Sequence, residues 1–177
     1  MQLLGGFKNF IGVFPCDKLS TINLKNISFS SIFINTQKST SEDVGHWILL
    51  TIFTKNKTLT RCEVFDSLGG GRIELPTLIH DYIRTLQITV KYSNIQIQSH
   101  FSDFCGLFCA GRFLSIIADE SLKDFTNHFN LNFLDHNDRR LVKLIFKYIH
   151  TLNVYIYTQD IYGRGLVGYF QRVVIFF

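Results

Sequence analysis

Gln98-Ser99-His100-Phe101-Ser102-Asp103-Phe104-Cys105-Gly106-Leu107-Phe108-Cys109 is the stretch on which the reading of this chain turns. From it onward, apolar or small residues at 107, 110, 111, 114, 117 and 118 keep helical spacing, which predicts a helix over Cys105 to Glu120 with Ser102 or Asp103 as its cap. Cys105 then stands at or near the first turn, where the positive end of the helix dipole favours a thiolate. Taken alone, the segment fits two roles. Cys105 is either a small buried hydrophobe beside Cys109, or a nucleophile with Gly106 allowing a substrate backbone to approach closely.

Working outward, Trp47 to Thr54 is rich in Ile, Leu and Phe, and Thr58 to Phe65 has strand character, with Thr54-Lys55-Asn56-Lys57 supplying a turn between them. His46 heads the first strand of this hairpin and Asp66 follows the second, so the two meet at one end of it. A carboxylate accepting from one imidazole nitrogen sets the tautomer and supports the imidazolium formed when the other nitrogen takes a thiol proton. A lone His on a strand is also commonly structural, and Asp66 before Ser67-Leu68-Gly69 reads equally well as a turn residue.

The remaining segments complete a single α+β domain without internal repeat or linker. Residues 30–35 form a short β-rich run, followed by a polar loop over Lys38 to Asp43. Gly69-Gly70-Gly71 breaks the pattern, and Leu75 to Leu86 reads as an amphipathic helix with Pro76 in its first turn. Thr89 to Gln98 is expected as a third strand, with Ile95 and Ile97 on one face and Gln96 and Gln98 on the other. Leu122, Phe125 and Phe129 suggest a short helix, and Asn137-Asp138 should cap a last one carrying Leu141, Leu144, Ile145, Tyr148, Ile149 and Leu152 on one face. In residues 153–177, Val154 to Tyr157 and Val173 to Phe177 surround Gly163, Gly165 and Gly168, which fits either a terminal strand pair or an unstructured tail.

Composition excludes several classes. With 177 residues, 46% hydrophobic and 18% charged, the chain buries a core of its own and is neither disordered nor collagen-like. Its 18 Phe imply a bulky aromatic core and aromatic surface at clefts. The net charge of +4 has no dense Lys/Arg run behind it, so it names no nucleic-acid footprint. Apolar runs such as Trp47 to Phe53 stop far short of the roughly 18 to 20 residues that cross a bilayer. The amino terminus lacks the pattern of a secretory signal, so a reducing, intracellular setting without membrane contact is expected. Cys16, Cys62, Cys105 and Cys109 lack the paired spacing of a zinc site, so no metal is expected. Gly69-Gly70-Gly71-Arg72 is no phosphate loop, and no Gly-x-Ser-x-Gly occurs.

Gly45-His46-Trp47, Phe65-Asp66-Ser67-Leu68-Gly69, Gln98 seven positions before Cys105, and Cys105-Gly106-Leu107-Phe108-Cys109 together resemble the adenovirus protease (adenain) family of viruses and large self-synthesising DNA transposons. His46-Trp47 and Asp66-Ser67 also resemble the ubiquitin-like-protein proteases, and the likeness spans about residues 7 to 150. The resemblance implies a papain-like cysteine protease fold over residues 1–150, a helix-borne Cys packed on a small mixed sheet carrying His46, Asp66 and Gln98, and a C-terminal extension or tail over 151–177. It makes Cys105 the nucleophile, His46 the general base and then acid, and Asp66 the orienter of His46. Gln98 and the backbone N–H of Cys105 form the oxyanion hole, with Trp47, Gly45 and Gly106 along the substrate cleft.

The activity implied is a cysteine endopeptidase cutting beside small residues, typically Gly, in viral capsid or core precursors during virion maturation. The alternatives are removal of ubiquitin-like modifiers from host proteins, a catalytically silent capsid-associated binding module, and an acyltransferase using the same triad. The chemistry implied requires no cofactor, with viral DNA or a noncovalently docked peptide as candidate activators. The family's disulfide-tethered peptide has no cysteine to meet between Leu86 and Thr89. A monomer in the virion and in the host nucleus or cytoplasm, not secreted, completes the expectation.

Overall fold

The hairpin expected from the sequence is the centre of the sheet. In a computed structural model that describes residues 7–24, 28–71 and 75–151, strands β3 (Trp47–Lys55) and β4 (Thr58–Phe65) pair antiparallel from Leu49↔Phe65 to Lys55↔Thr58. Asn56 and Lys57 close it with φ of 51° and 66°, the left-handed pair that matches the twist of two-residue hairpins. Strand β2 (Phe29–Asn35) runs antiparallel to β3, β1 (Phe10–Pro15) parallel to β2, and β5 (Thr89–Tyr92) parallel to β4. The result is a five-stranded mixed sheet in the order β1-β2-β3-β4-β5.

Both faces of this sheet are covered, which is why Trp47 to Phe53 is a near-continuous apolar run rather than a strict alternation. Ile32, Ile34, Ile48, Leu50, Ile52 and Val64 point to one side, beneath a 3-10 turn (Cys16–Thr21) and helix α1 (Thr77–Thr85). Phe33, Leu49 and Phe65 point to the other, beneath α2 (Cys105–Ile117), α3 (Leu122–Asn127) and α4 (Asn137–Thr151). The Phe excess is concentrated on this second side. Phe10, Phe33 and Phe113 meet near the start of the sheet, and Phe65, Phe125 and Phe129 meet in edge-to-face pairs with centroids 5.2–5.6 Å apart. The architecture is the expected α+β one, a cysteine-bearing helix packed on a mixed sheet.

Several local expectations are corrected. The third strand stops at Tyr92, and residues 93–98 leave the ladder. There the backbone N–H groups of Ile97 and Gln98 both donate to the Ser67 carbonyl, at 2.9 and 3.0 Å, so a turn replaces a strand as partner. The predicted two-faced pattern fails with it, since Gln98 is buried like Ile97 while Ile95 is exposed. Gln98 accordingly lies beside the sheet and not on it. Helix α1 begins after Pro76, which occupies the N-cap. The cap of α2 is Phe104, with Ser102 Oγ accepting from the Phe104 N–H at 3.2 Å, so neither Ser102 nor Asp103 is the cap itself. Asn137 is a fully buried tie, not a cap: its Nδ2 donates to the carbonyls of Ile97 and Asn130. The expectations for Leu152 and residues 153–177 lie outside the described residues.

Helix α2 is also joined to the sheet by charge. Arg112 of α2, 2% exposed, forms a two-pronged pair with Glu63 of β4, Nε to Oε1 at 2.7 Å and Nη2 to Oε2 at 3.1 Å, while Nη1 donates to Ser115 Oγ and the Glu120 carbonyl. Removing one member of such a pair strands a buried charge. Arg112→Ala should lower the unfolding free energy by about 3–5 kcal/mol in urea denaturation, whereas replacing Arg112 and Glu63 together by Met and Leu should cost far less.

Candidate active site

Three segments converge at one end of the sheet: the residues entering β3, the turn leaving β4, and the first turn of α2. His46 enters β3 held on both sides by Thr36, whose Oγ1 accepts from the His46 N–H at 3.0 Å and whose N–H donates to the His46 carbonyl at 2.9 Å. Gly45 makes that approach feasible, because a Cβ there would collide with Asn35 Oδ1 and Gln37. The missing side chain of Gly45 therefore serves packing against β2 and the loop after it.

Asp66 closes β4 in a dense polar turn. Its Oδ1 accepts from the Leu68 N–H at 2.9 Å, its own N–H donates to Ser93 Oγ at 2.7 Å, and Ser93 Oγ–H donates back to its carbonyl at 2.9 Å. The carboxylate is only 4% exposed and aims one oxygen at His46, whose Nε2–H donates to Oδ1 at 2.7 Å. A carboxylate can only accept, so this bond sets the tautomer and leaves Nδ1 facing away from Asp66.

Cys105, half-buried, is the first residue of α2 and hydrogen-bonds the same imidazole. Burial alone would pull the His46 pKa down. The hydrogen bonds to Asp66 and Cys105, together with their negative charges, outweigh it and raise the pKa to about 9. At neutral pH the imidazole is thus protonated, between the Cys105 sulfur and the Asp66 carboxylate. The other cysteines differ. Cys109, one turn on, is fully buried and donates to the Trp47 carbonyl at 3.5 Å, with its pKa pushed well up by burial, and Cys62 is pushed up to about 11 for the same reason.

Gln98 is 2% exposed and locked: Oε1 accepts from Ser67 Oγ–H at 2.5 Å and Nε2 donates to the Ser102 carbonyl at 2.6 Å. Trp47 is part-buried against the Phe-rich side of the core and passes its carbonyl to Cys109. Gly106 is buried in the first turn of α2. Sequence reasoning missed Thr36, Ser67, Ser93 and Ser102, the residues that hold the others in place. They are small hydroxyls in irregular segments, and of them only Ser67, adjacent to Asp66, and Ser102, expected as a helix cap, carried any signal. It also missed Phe101, which is 97% exposed on the tied loop leading to Cys105, and Val44, 95% exposed two residues before His46.

Among the described residues no group of His, Cys, Asp and Glu could hold a metal ion, and no helix is long and apolar enough to cross a membrane. No protein-family model matches the sequence, and no curated protein does. Solved structures that match the chain include two at low identity. "AvrA delL154 with IP6, CoA" matches at a TM-score of 0.48 and 12% identity, over 89% of this chain and 70% of that one. HopZ1a in complex with IP6 matches at 0.41 and 14% identity, over 73% of this chain and 43% of that one.

The folded-state pKa of His46 lies above its ordinary value of 6.5, so protonating it favours the fold; that contribution is complete below about 6.5 and is lost as pH rises through about 9. The ring proton resonances of His46 should titrate near pH 9, and Asp66→Asn should move the midpoint down. An unmoved midpoint in that variant would show that Asp66 does not hold the proton.

Proposed function

We propose that the chain is a cysteine peptidase that forms a thioester on Cys105. The observation that carries this is the contiguous array of Asp66, His46 and Cys105, with the acid 2.7 Å from one imidazole nitrogen and the thiol at the start of a helix on the other side. The Cys105 thiolate attacks a peptide carbonyl carbon, and the carbonyl electrons move onto oxygen. That oxyanion meets the backbone N–H of Cys105 and the second N–H of the Gln98 amide, the first being held by Ser102. Collapse expels the amine, which takes its proton from the His46 imidazolium. Water then gives a proton to His46, attacks the thioester and releases the thiolate.

The substrate class follows from the resemblance: bonds beside small residues, Gly above all, in capsid or core precursors. The alternative is the Gly-ended tail of a ubiquitin-like modifier on a host protein. Phe101 and Val44, exposed on the segments that deliver Cys105 and His46, offer apolar contact to either chain. Viral DNA remains part of the reading as an activator and would show as a salt-sensitive stimulation.

Cys105→Ala should abolish cleavage of a Gly-containing peptide library while leaving the circular dichroism unchanged, and retained cleavage would sink the mechanism. Labelling of Cys105 by a full-length ubiquitin-like probe ending in a Gly-Gly electrophile, without cleavage of short peptides, would move the substrate to the host modifier. An acyl-Cys105 formed from acetyl-CoA and passed to an amine, with no peptide cleaved, would replace hydrolysis by acyl transfer. Phe101→Ala should raise KM by roughly tenfold, as loss of one apolar contact does, with kcat held.

A further inference from the structure

Ser67 lies between the acid of the site and its amide, and it grips Gln98 twice, once at the backbone and once at the side chain. Its carbonyl accepts both the Ile97 and Gln98 N–H groups, at 2.9 and 3.0 Å, and its hydroxyl donates to Gln98 Oε1 at 2.5 Å with no exposed surface at all. The orientation of the Gln98 amide follows from chemistry. The Ser102 carbonyl, 2.6 Å from the other end of the amide, can only accept, so Nε2 must face it and Oε1 must face Ser67. Ser102 is itself tied, its Oγ–H donating to Asp138 Oδ1 of α4 at 2.9 Å.

The turn can reach this position because Gly69, at φ +74°, lets residues 66–69 lie against 95–98. A Cβ at Gly69 would come within 2.5 Å of the Gln96 nitrogen and 2.8 Å of the Ile95 carbonyl carbon. Asp66 and Ser67 are adjacent in a turn closed by the Gly69 N–H on the Asp66 carbonyl at 3.1 Å, and their side chains take different partners. One side chain meets His46 and the other meets Gln98. A two-residue unit therefore reaches both the proton carrier and the amide.

We infer that Ser67 is a positioning residue for the reaction: its hydroxyl holds the Gln98 amide in the one orientation that turns a second N–H towards the developing oxyanion. This rests on the peptidase reading above. Without the hydroxyl, a buried Oε1 loses its donor, and the amide is held at one end only, by the Ser102 carbonyl, so its second N–H is no longer fixed in direction.

The test uses the full chain, a fluorogenic Gly-Gly-aminomethylcoumarin peptide, and iodoacetamide as a second probe of Cys105. Alkylation by iodoacetamide is displacement at a saturated carbon and forms no oxyanion, so it reads the thiol and His46 without the amide. Gln98→Ala should lower kcat by about a hundredfold and Ser67→Ala by at least about tenfold, both with KM and alkylation rate unchanged, and the double variant should fall no further than Gln98→Ala alone. Losses that multiply, or a Ser67→Ala enzyme with full kcat, would overturn the inference. Full kcat in Gln98→Ala would instead overturn the oxyanion role itself, and failure of Cys105→Ala to lose turnover would overturn the peptidase reading. Should Ser67→Ala not fold, Ser67→Cys, close in size and a weaker donor, takes its place in the same cycle.

Discussion

The turn Asp66-Ser67-Leu68-Gly69, pressed against residues 93–98, is the constraint on which the site depends. It ends β4, breaks off the strand that β5 begins, and supplies one backbone acceptor, the Ser67 carbonyl, to both Ile97 and Gln98. Ser93 closes the other side of it through two bonds to the Asp66 backbone. Without this docking, Asp66 would be an ordinary solvated turn residue, and Gln98 would sit on an exposed edge. With it, a buried carboxylate and a buried amide are fixed on opposite sides of one short segment.

The rest of the fold brings His46 and Cys105 to that turn. The sheet does so through register: β3 and β4 pair from Leu49↔Phe65, so the residue before β3 and the residue after β4 emerge at the same end. Helix α2 does so by packing its Phe-rich length over Phe33, Leu49 and Phe65, with Arg112 bonded to Glu63 at its far half. The buried ion pair and the aromatic cluster fix where along the sheet the helix lies, and therefore where its first residue falls. Packing at one end of α2 thus sets chemistry at the other.

The electrostatics follow from the same placement. His46 is enclosed enough to lose water, which disfavours its charge, yet it lies between two groups that favour it. The second effect wins, because both partners are within hydrogen-bonding reach while the ring keeps partial exposure. Cys109 shows the converse: a thiol on the same helix, one turn deeper, with burial as its dominant influence. Position on the helix, not residue type, separates a thiol beside the His46 imidazole from one packed in the core.

The α+β class, the hairpin with a turn within Thr54 to Lys57, the helix starting at Cys105 and the pairing of His46 with Asp66 were legible in the amino-acid sequence. Each depends on local spacing or on the two ends of a short hairpin, where a few residues determine the geometry. What the tertiary structure alone decided was the path of residues 93–98, the role of Asn137 as a buried tie, and the hold of Thr36, Ser67, Ser93 and Ser102 on the site. These are hydroxyl and amide groups in irregular backbone, and whether such a group is solvated or becomes a structural bond depends on what long-range packing brings within about 3 Å of it. Periodicity carries no information about that, because the partners lie far apart in sequence and meet only when the sheet and α2 have closed.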